Sequence, residues 1–192
     1  MKPELSSYLI ERWRLEGAIL IADTFTSQVY RAKRNGSSVI VKRIKLQGQD
    51  ELSGIAYLRW RNGQGAAKVL DLFNSDCLME DAGETTLLQF HEAEGEDAAN
   101  AVIAKTLPTL FKPATSVYPQ SLPSLREALA DLFVCAQKPE LGEFEEPLKL
   151  AAGLAEMLLA SQTRIQPLHG DIHHGNIVTR DVISGLPSIP RV

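Results

Sequence analysis

The chain has little cysteine, no long apolar run and no excess of positive charge, and each shortage excludes something. Only two cysteines occur among 192 residues, Cys77 and Cys135. They lack metal-type spacing and read as reduced thiols of a cytosolic protein. No stretch reaches the roughly 20 apolar residues that a membrane-spanning helix needs. The opening MKPELSSYLIERW carries charges where a secretory signal has an apolar core. These features point to the cytoplasm and away from a membrane. Lysine and arginine number 20 against 24 aspartates and glutamates, a formal net charge of -4. That argues against general nucleic-acid binding and leaves room for a local basic patch facing an anionic ligand. Repeats and low-complexity segments are also lacking. What is present is an ordinary globular composition, 44% hydrophobic and 23% charged, in a length that suits one domain or two small lobes sharing a cleft.

The pattern changes character along the chain. Residues 3–16 have apolar side chains at helical spacing, Leu5, Leu9 and Trp13 among them. Three short β-type runs follow, 18–23, 27–34 and 37–45, and Asn35-Gly36 between the last two is a hairpin signal. A helix is expected over 48–65, ending in NGQG, then strands over 66–73 and 76–81. Beyond Gly83 the segments are rich in Ala and Leu with helical periodicity, including 97–111, 124–137 and 144–162, and Pro and Gly separate them. A β-rich half followed by a helical half predicts an α+β fold, not a wound parallel sheet. The division falls between 81 and 82.

The stretch PLHGDIHHGNIV, Pro167 to Val178, holds three of the four histidines. A histidine metal site needs converging ligands; His173 and His174 are adjacent, and only His91 lies elsewhere. The second possibility rests on Asp171 and Asn176. A carboxylate can orient a hydroxyl and accept its proton, and an amide oxygen five residues on can ligate Mg²⁺. The third is a polar turn with Asx-type capping. In VIVKRIK, Lys42 shares a strand face with Ile40 and Ile44, where the pattern expects an aliphatic residue. It either snorkels from an edge strand or meets a nucleotide's phosphates as a point charge, with Glu51 as its anionic partner. Lysine on a third strand, glutamate on the next helix, a linker, then a helical half carrying Asp-x-x-x-x-Asn is the order of parts in a kinase.

On VIVKRIK, DELSGIAYLRWRNGQGAAKVLD, CLMEDAG and above all LHGDIHHGNIV, the sequence resembles the aminoglycoside phosphotransferase branch of the protein-kinase-like fold. More closely, it looks like the streptomycin 6-kinase group, the aminoglycoside/hydroxyurea antibiotic resistance kinases. The resemblance covers the chain to about Thr179. It implies an N-terminal antiparallel β lobe with one helix (1–81) and an incomplete helical C-terminal lobe (82–192). It implies ATP and Mg²⁺ as cofactors and an aminoglycoside such as streptomycin as the phosphorylated alcohol. It makes Asp171 the catalytic base, Asn176 a Mg²⁺ ligand, Lys42 the phosphate contact paired with Glu51, and Met79 and Glu80 the hinge that meets adenine. Residues 22–30 become the phosphate-covering loop, with Ser27 touching phosphate; the other reading of Ser27 is a solvated turn residue.

The resemblance also sets an expectation about the end of the chain. The family places a second metal-binding aspartate on a strand about a dozen residues beyond the loop asparagine. Here TRDVISGLPSIPRV offers only Asp181, which sits too close to the loop, and two prolines that disfavour a central strand. A truncated or frame-shifted product is therefore expected, impaired in transfer. Helices 97–111, 124–137 and 144–162 would lack packing partners, and an apolar surface open to self-association would follow. The alternative function is a non-catalytic remnant that binds nucleotide or a partner chain.

Overall fold

Asn35 and Gly36 join β2 (Ser27–Arg34) to β3 (Ser37–Ile44), with φ of 51° and 76°. Two consecutive positive φ angles give the hairpin turn whose twist matches the flanking strands. Register then runs outward from the turn, from Arg34 opposite Ser37 to Ser27 opposite Ile44. The structure is a computed structural model and describes residues 3–112, 117–138, 142–163 and 165–179. The expectations for Asp181 and the tail lie outside the described residues.

Five antiparallel strands form the main sheet in the order β1-β2-β3-β5-β4, with β1 at Leu15–Asp23, β4 at Val69–Phe73 and β5 at Asp76–Glu80. β1 begins earlier than the expected 18–23 because Leu15 and Glu16 pair with Arg34 and Lys33. The preceding helix α1 (Ser7–Trp13) is accordingly shorter than 3–16. The Ser6 hydroxyl caps it by accepting the Leu9 amide, and Arg14 ends it in the left-handed region at φ 52°. Helix α2 (Glu51–Arg61) is shorter than 48–65: a 3-10 turn at Leu46–Gly48 precedes it, and left-handed Asn62 closes it. β4 starts at Val69, later than the expected 66.

The sheet is covered on both faces. Leu5, Leu9 and Trp13 of the α1 segment pack against Tyr30, Ala32, Val39, Val41 and Leu78. Full burial of such side chains contributes about 1.5–3 kcal/mol each. The Trp13 indole N–H donates to Asp71 Oδ2 at 2.8 Å, which ties α1 to β4 and holds the Asp71 carboxyl below its usual range. On the other face, Ile55 and Leu58 of α2 meet Ile40, Ile44, Cys77 and Met79. The alternation read in VIVKRIK is therefore real: Val39 and Val41 face α1, while Ile40 and Ile44 face α2.

Packing divides the chain into two compact units: the described residues of Met1–Val117 with Leu168–Val192, and Tyr118–Pro167. In the first, a two-residue strand β6 (Thr85–Thr86) leads into α3 (Leu87–Glu94), whose start is a capping box of Thr86 and Gln89. α4 (Glu96–Leu110) packs on α3 and buries Ala99, Val102 and Leu110, so it does not lack partners as expected of helix 97–111. Arg61 lies buried at the end of α2 and donates to Thr109 O in the last turn of α4 and to Lys112 O just beyond that helix. In the second unit, the helix expected over 124–137 is broken at Leu129 into α5 (Leu125–Ala128) and α6 (Ala130–Ala136). α7 (Glu145–Ala160) packs on α6 yet leaves Leu150, Leu154, Met157 and Leu158 exposed at helical spacing. No helix among the described residues is long and apolar enough to cross a membrane.

Candidate active site

Lys42 stands on β3, the middle strand of five, so it is not an edge-strand lysine. Its parity points it toward α2, and Glu51 begins that helix. The ammonium Nζ lies 2.5 Å from Glu51 Oε2, with both side chains partly buried. Burial works to raise the Glu51 carboxyl; the bonds from Lys42 and from the Thr26 hydroxyl outweigh it and hold the carboxyl below its usual range. Glu51 is thus anionic and fixes the lysine without consuming all three of its donors. On the same face, Val29 lies opposite Lys42 and Ile19 opposite Arg31. Ile19 is 68% exposed, so the apolar strip beyond α2 stands open beside the lysine.

Residues 167–178 form the second half of the site. The loop is pinned from both sides. Backbone bonds run from Leu87 N to Ile177 O (2.8 Å) and from Leu88 N to His174 O (3.2 Å). Val178–Thr179 form β7, paired with β6, and Ile177 is buried against α3. Within the loop, the Asn176 amide donates to Asp171 O at 2.9 Å and to Asp171 Oδ2 at 2.8 Å. The spacing Asp-x-x-x-x-Asn thereby closes a ring that sets the carboxylate's direction. The Asp171 side chain is 75% exposed, open to solvent. His169 Nδ1 accepts the Asp171 amide at 3.3 Å, and its ring meets Tyr57 of α2 edge to face at 5.5 Å. Burial keeps the His169 imidazole below its ordinary pKa; the charges of His173 and Lys42 add to this, and Asp171 opposes it. His173 Nδ1 accepts the Gly175 amide, a bond within the loop.

The remaining expected residues are placed as follows. Met79 is buried in β5, opposite Ile40 and Val69. Glu80 donates its amide to Lys68 O and accepts the Lys68 amide on its carboxylate, so these two groups hold the start of β4. Ser27 is 5% exposed at the start of β2, with its amide bonded to Thr24 Oγ1; it is not a solvated turn serine. Two supporting roles escaped the sequence reading, those of Thr26 and Tyr57. Thr26 joins the turn before β2 to Glu51, and its carbonyl accepts Lys45 N at 2.8 Å. Gly48 packs so closely there that a Cβ would lie 2.4 Å from Thr26 O. Tyr57 supports His169. No local signal marks either role, because both partners are distant in sequence.

The histidine-cluster metal reading finds no support: among the described residues no group of three His, Cys, Asp or Glu side chains could hold a metal ion. Asn176 turns its amide nitrogen to Asp171, and the Asp171 carboxylate and the Asn176 amide oxygen are the oxygen donors this loop carries. That donor set fits a hard cation such as Mg²⁺ shared with phosphate oxygens, rather than caged by protein alone.

A central-strand lysine locked to a helix glutamate, facing a loop that couples Asp to Asn, defines a protein of the kinase-like class. Crystal structures agree on the fold. Aminoglycoside phosphotransferase APH(4)-Ia superposes with a TM-score of 0.62 at 15% identity, covering 96% of this chain and 68% of that one. A thermostable mutant of it, in ternary complex with ADP and hygromycin B, gives 0.60 at 15% identity over 94% and 67%. The family described as aminoglycoside/hydroxyurea antibiotic resistance kinase matches residues 12–186, and the chain belongs to it. A streptomycin 3''-kinase of Klebsiella pneumoniae is 32% identical over 172 residues, 88% of this chain. The chain spans 60% of that relative's length.

Proposed function

We propose that the protein is a phosphotransferase that moves the γ-phosphoryl group of ATP to an alcohol of an aminoglycoside, with streptomycin as the first substrate to test. The observation that carries this is the Lys42–Glu51 contact of 2.5 Å on the central strand of a chain whose catalytic-type loop pairs Asp171 with Asn176. In this reading residues 1–81 form the nucleotide-binding lobe and 82–192 a partial helical lobe that carries the catalytic loop. Lys42 meets the α and β phosphates, and Glu51 aims it. Met79 and Glu80 border the adenine, and Ser27 closes the phosphate-covering turn. Asp171 orients the acceptor hydroxyl and takes its proton as the oxygen attacks the γ-phosphorus; the bond to the β-phosphate oxygen breaks and ADP leaves. Asn176 and phosphate oxygens would hold Mg²⁺, which when bound neutralises charge building on the phosphates. The exposed α7 stripe gives a surface for self-association.

The relative's name supports streptomycin as acceptor and its 3'' position as the hydroxyl to test first. The test is Mg²⁺-dependent transfer of labelled phosphate from ATP to streptomycin, with the product position read by NMR. Asp171→Asn should lose about 10²–10⁴-fold in rate while ATP binding persists. Equal transfer by the variant would refute the role of Asp171. ATP binding without transfer in the wild type would favour the non-catalytic remnant.

A further inference from the structure

We infer that Arg31 is a positioning residue for the catalytic loop: it clasps the segment Asp81–Glu84 and, through β6, steadies the backbone that carries Asp171 and Asn176. The inference rests on the phosphotransferase reading for its link to transfer, and on geometry alone for the clasp. Arg31 lies in β2, opposite Ile40 and on the Lys42 face of the sheet. Its guanidinium spreads three contacts over the segment that follows β5. Nε donates to Asp81 Oδ2 at 2.9 Å, Nη1 to Glu84 Oε1 at 2.6 Å and Nη2 to Gly83 O at 3.2 Å.

Asp81 is 5% exposed and gathers more than the arginine. The Ser38 hydroxyl of β3 donates to Oδ2 at 2.6 Å, and the Gly83 amide to Oδ1 at 3.0 Å. One buried carboxylate therefore joins β2, β3 and the outgoing segment. A rim ion pair would carry little. Here the carboxylate is desolvated, so removing the Arg31 cation takes a charged partner from a buried charge and loosens the clasp.

The segment does not end in solvent. Thr85 and Thr86 follow at once and pair with Thr179 and Val178, and the amides of Leu87 and Leu88 hold Ile177 O and His174 O. Bonded contacts thus run without a gap from the strand beside Lys42 to the loop of Asp171. Rigid coupling of this kind matters because transfer depends on the phosphorus and the acceptor oxygen meeting at close, aligned range.

Amide hydrogen exchange by NMR on the full chain tests this, comparing wild type, Arg31→Gln and Arg31→Lys. The reporters are the amides of Leu87, Leu88 and Asn176, and the Val41 amide in the central strand reports global opening. In Arg31→Gln the three reporters should exchange roughly tenfold faster than any change at Val41 accounts for. Arg31→Lys, which keeps the charge but not the fork, should fall between and guards against a variant that does not fold. In the transfer assay kcat should fall roughly tenfold with ADP affinity moving less than about threefold. Reporters that stay unchanged, or that accelerate only in step with Val41, overturn the proposal. Wild-type protein that transfers no phosphate would sink the phosphotransferase reading instead, and the exchange rates would still decide the clasp.

Discussion

Arg61→Met should cost the protein a large share of its stability. Arg61 is 1% exposed. Among the described residues its guanidinium makes four hydrogen bonds to backbone carbonyls: Gln64 O at 2.9 and 2.6 Å, Lys112 O at 2.8 Å and Thr109 O at 2.9 Å. The guanidinium thus closes the NGQG turn and caps the C-terminal end of α4, where the helix dipole favours a cation. Methionine keeps the volume and removes the donor from the Gln64 and Lys112 carbonyls, while Thr109 O keeps the Lys112 amide. Each buried acceptor left unmade costs about 1–3 kcal/mol. The relief of guanidinium desolvation offsets part of that sum. A net loss of about 3 kcal/mol is expected, against a typical total of about 5–15 kcal/mol. For a chain of this size that lowers Tm by about 6–12 °C. Urea unfolding followed by far-ultraviolet circular dichroism measures it, since the Trp60 ring lies 5.3 Å from Arg61 and would alter a fluorescence baseline. A loss below about 1 kcal/mol would mean that water satisfies those carbonyls, and the capping argument would fail.

Gly48→Ala pushes a methyl into Thr26 O and Cβ; it should destabilise by about 1–3 kcal/mol and, on the phosphotransferase proposal, raise KM for ATP more than it lowers kcat, and unchanged KM would disconnect Thr26 from the proposed nucleotide site. Burial pushes the Cys77 thiol up to about 12 from an ordinary 9. The unfolded chain therefore loses this proton first, so stability is full below pH 9 and falls as pH rises toward 12; at pH 8 a thiol reagent should label Cys135 and spare Cys77 in native protein. His169 titrates in the opposite sense. Its folded pKa lies below the ordinary 6.5, so the unfolded chain takes up the proton first, and stability declines as pH falls below 6.5. Urea midpoints measured from pH 8 to 5 should show this decline, and His169→Gln should flatten part of it.

Local chemistry was legible in the sequence. Asn35-Gly36 dictates its own turn, because both residues tolerate positive φ regardless of what surrounds them. The alternation in VIVKRIK assigned each side chain of β3 to a face, because strand parity is a backbone property. From parity and order alone, Lys42 and Glu51 could be paired, and the five-residue spacing of Asp171 and Asn176 could be read as one unit. Element ends were less legible. β1 starts at Leu15 because β2 offers Lys33 and Arg34 as partners, and helix 124–137 breaks at Leu129 without a proline or glycine to announce it.

What only the tertiary structure decided involves partners far apart in the chain. Arg61 looks like any basic residue at a helix end until Thr109 and Lys112 arrive beside it. Arg31 reads as a surface strand residue until Asp81 comes under it. β6 and β7, two residues each, are too short to carry a pattern, and they exist because they find one another. Sequence by itself determined which chemistry the chain carries, since turn geometry, strand parity and residue type act over a few bonds. The fold decided what holds that chemistry in place, since buried charges and short strands take their meaning from neighbours that only packing supplies.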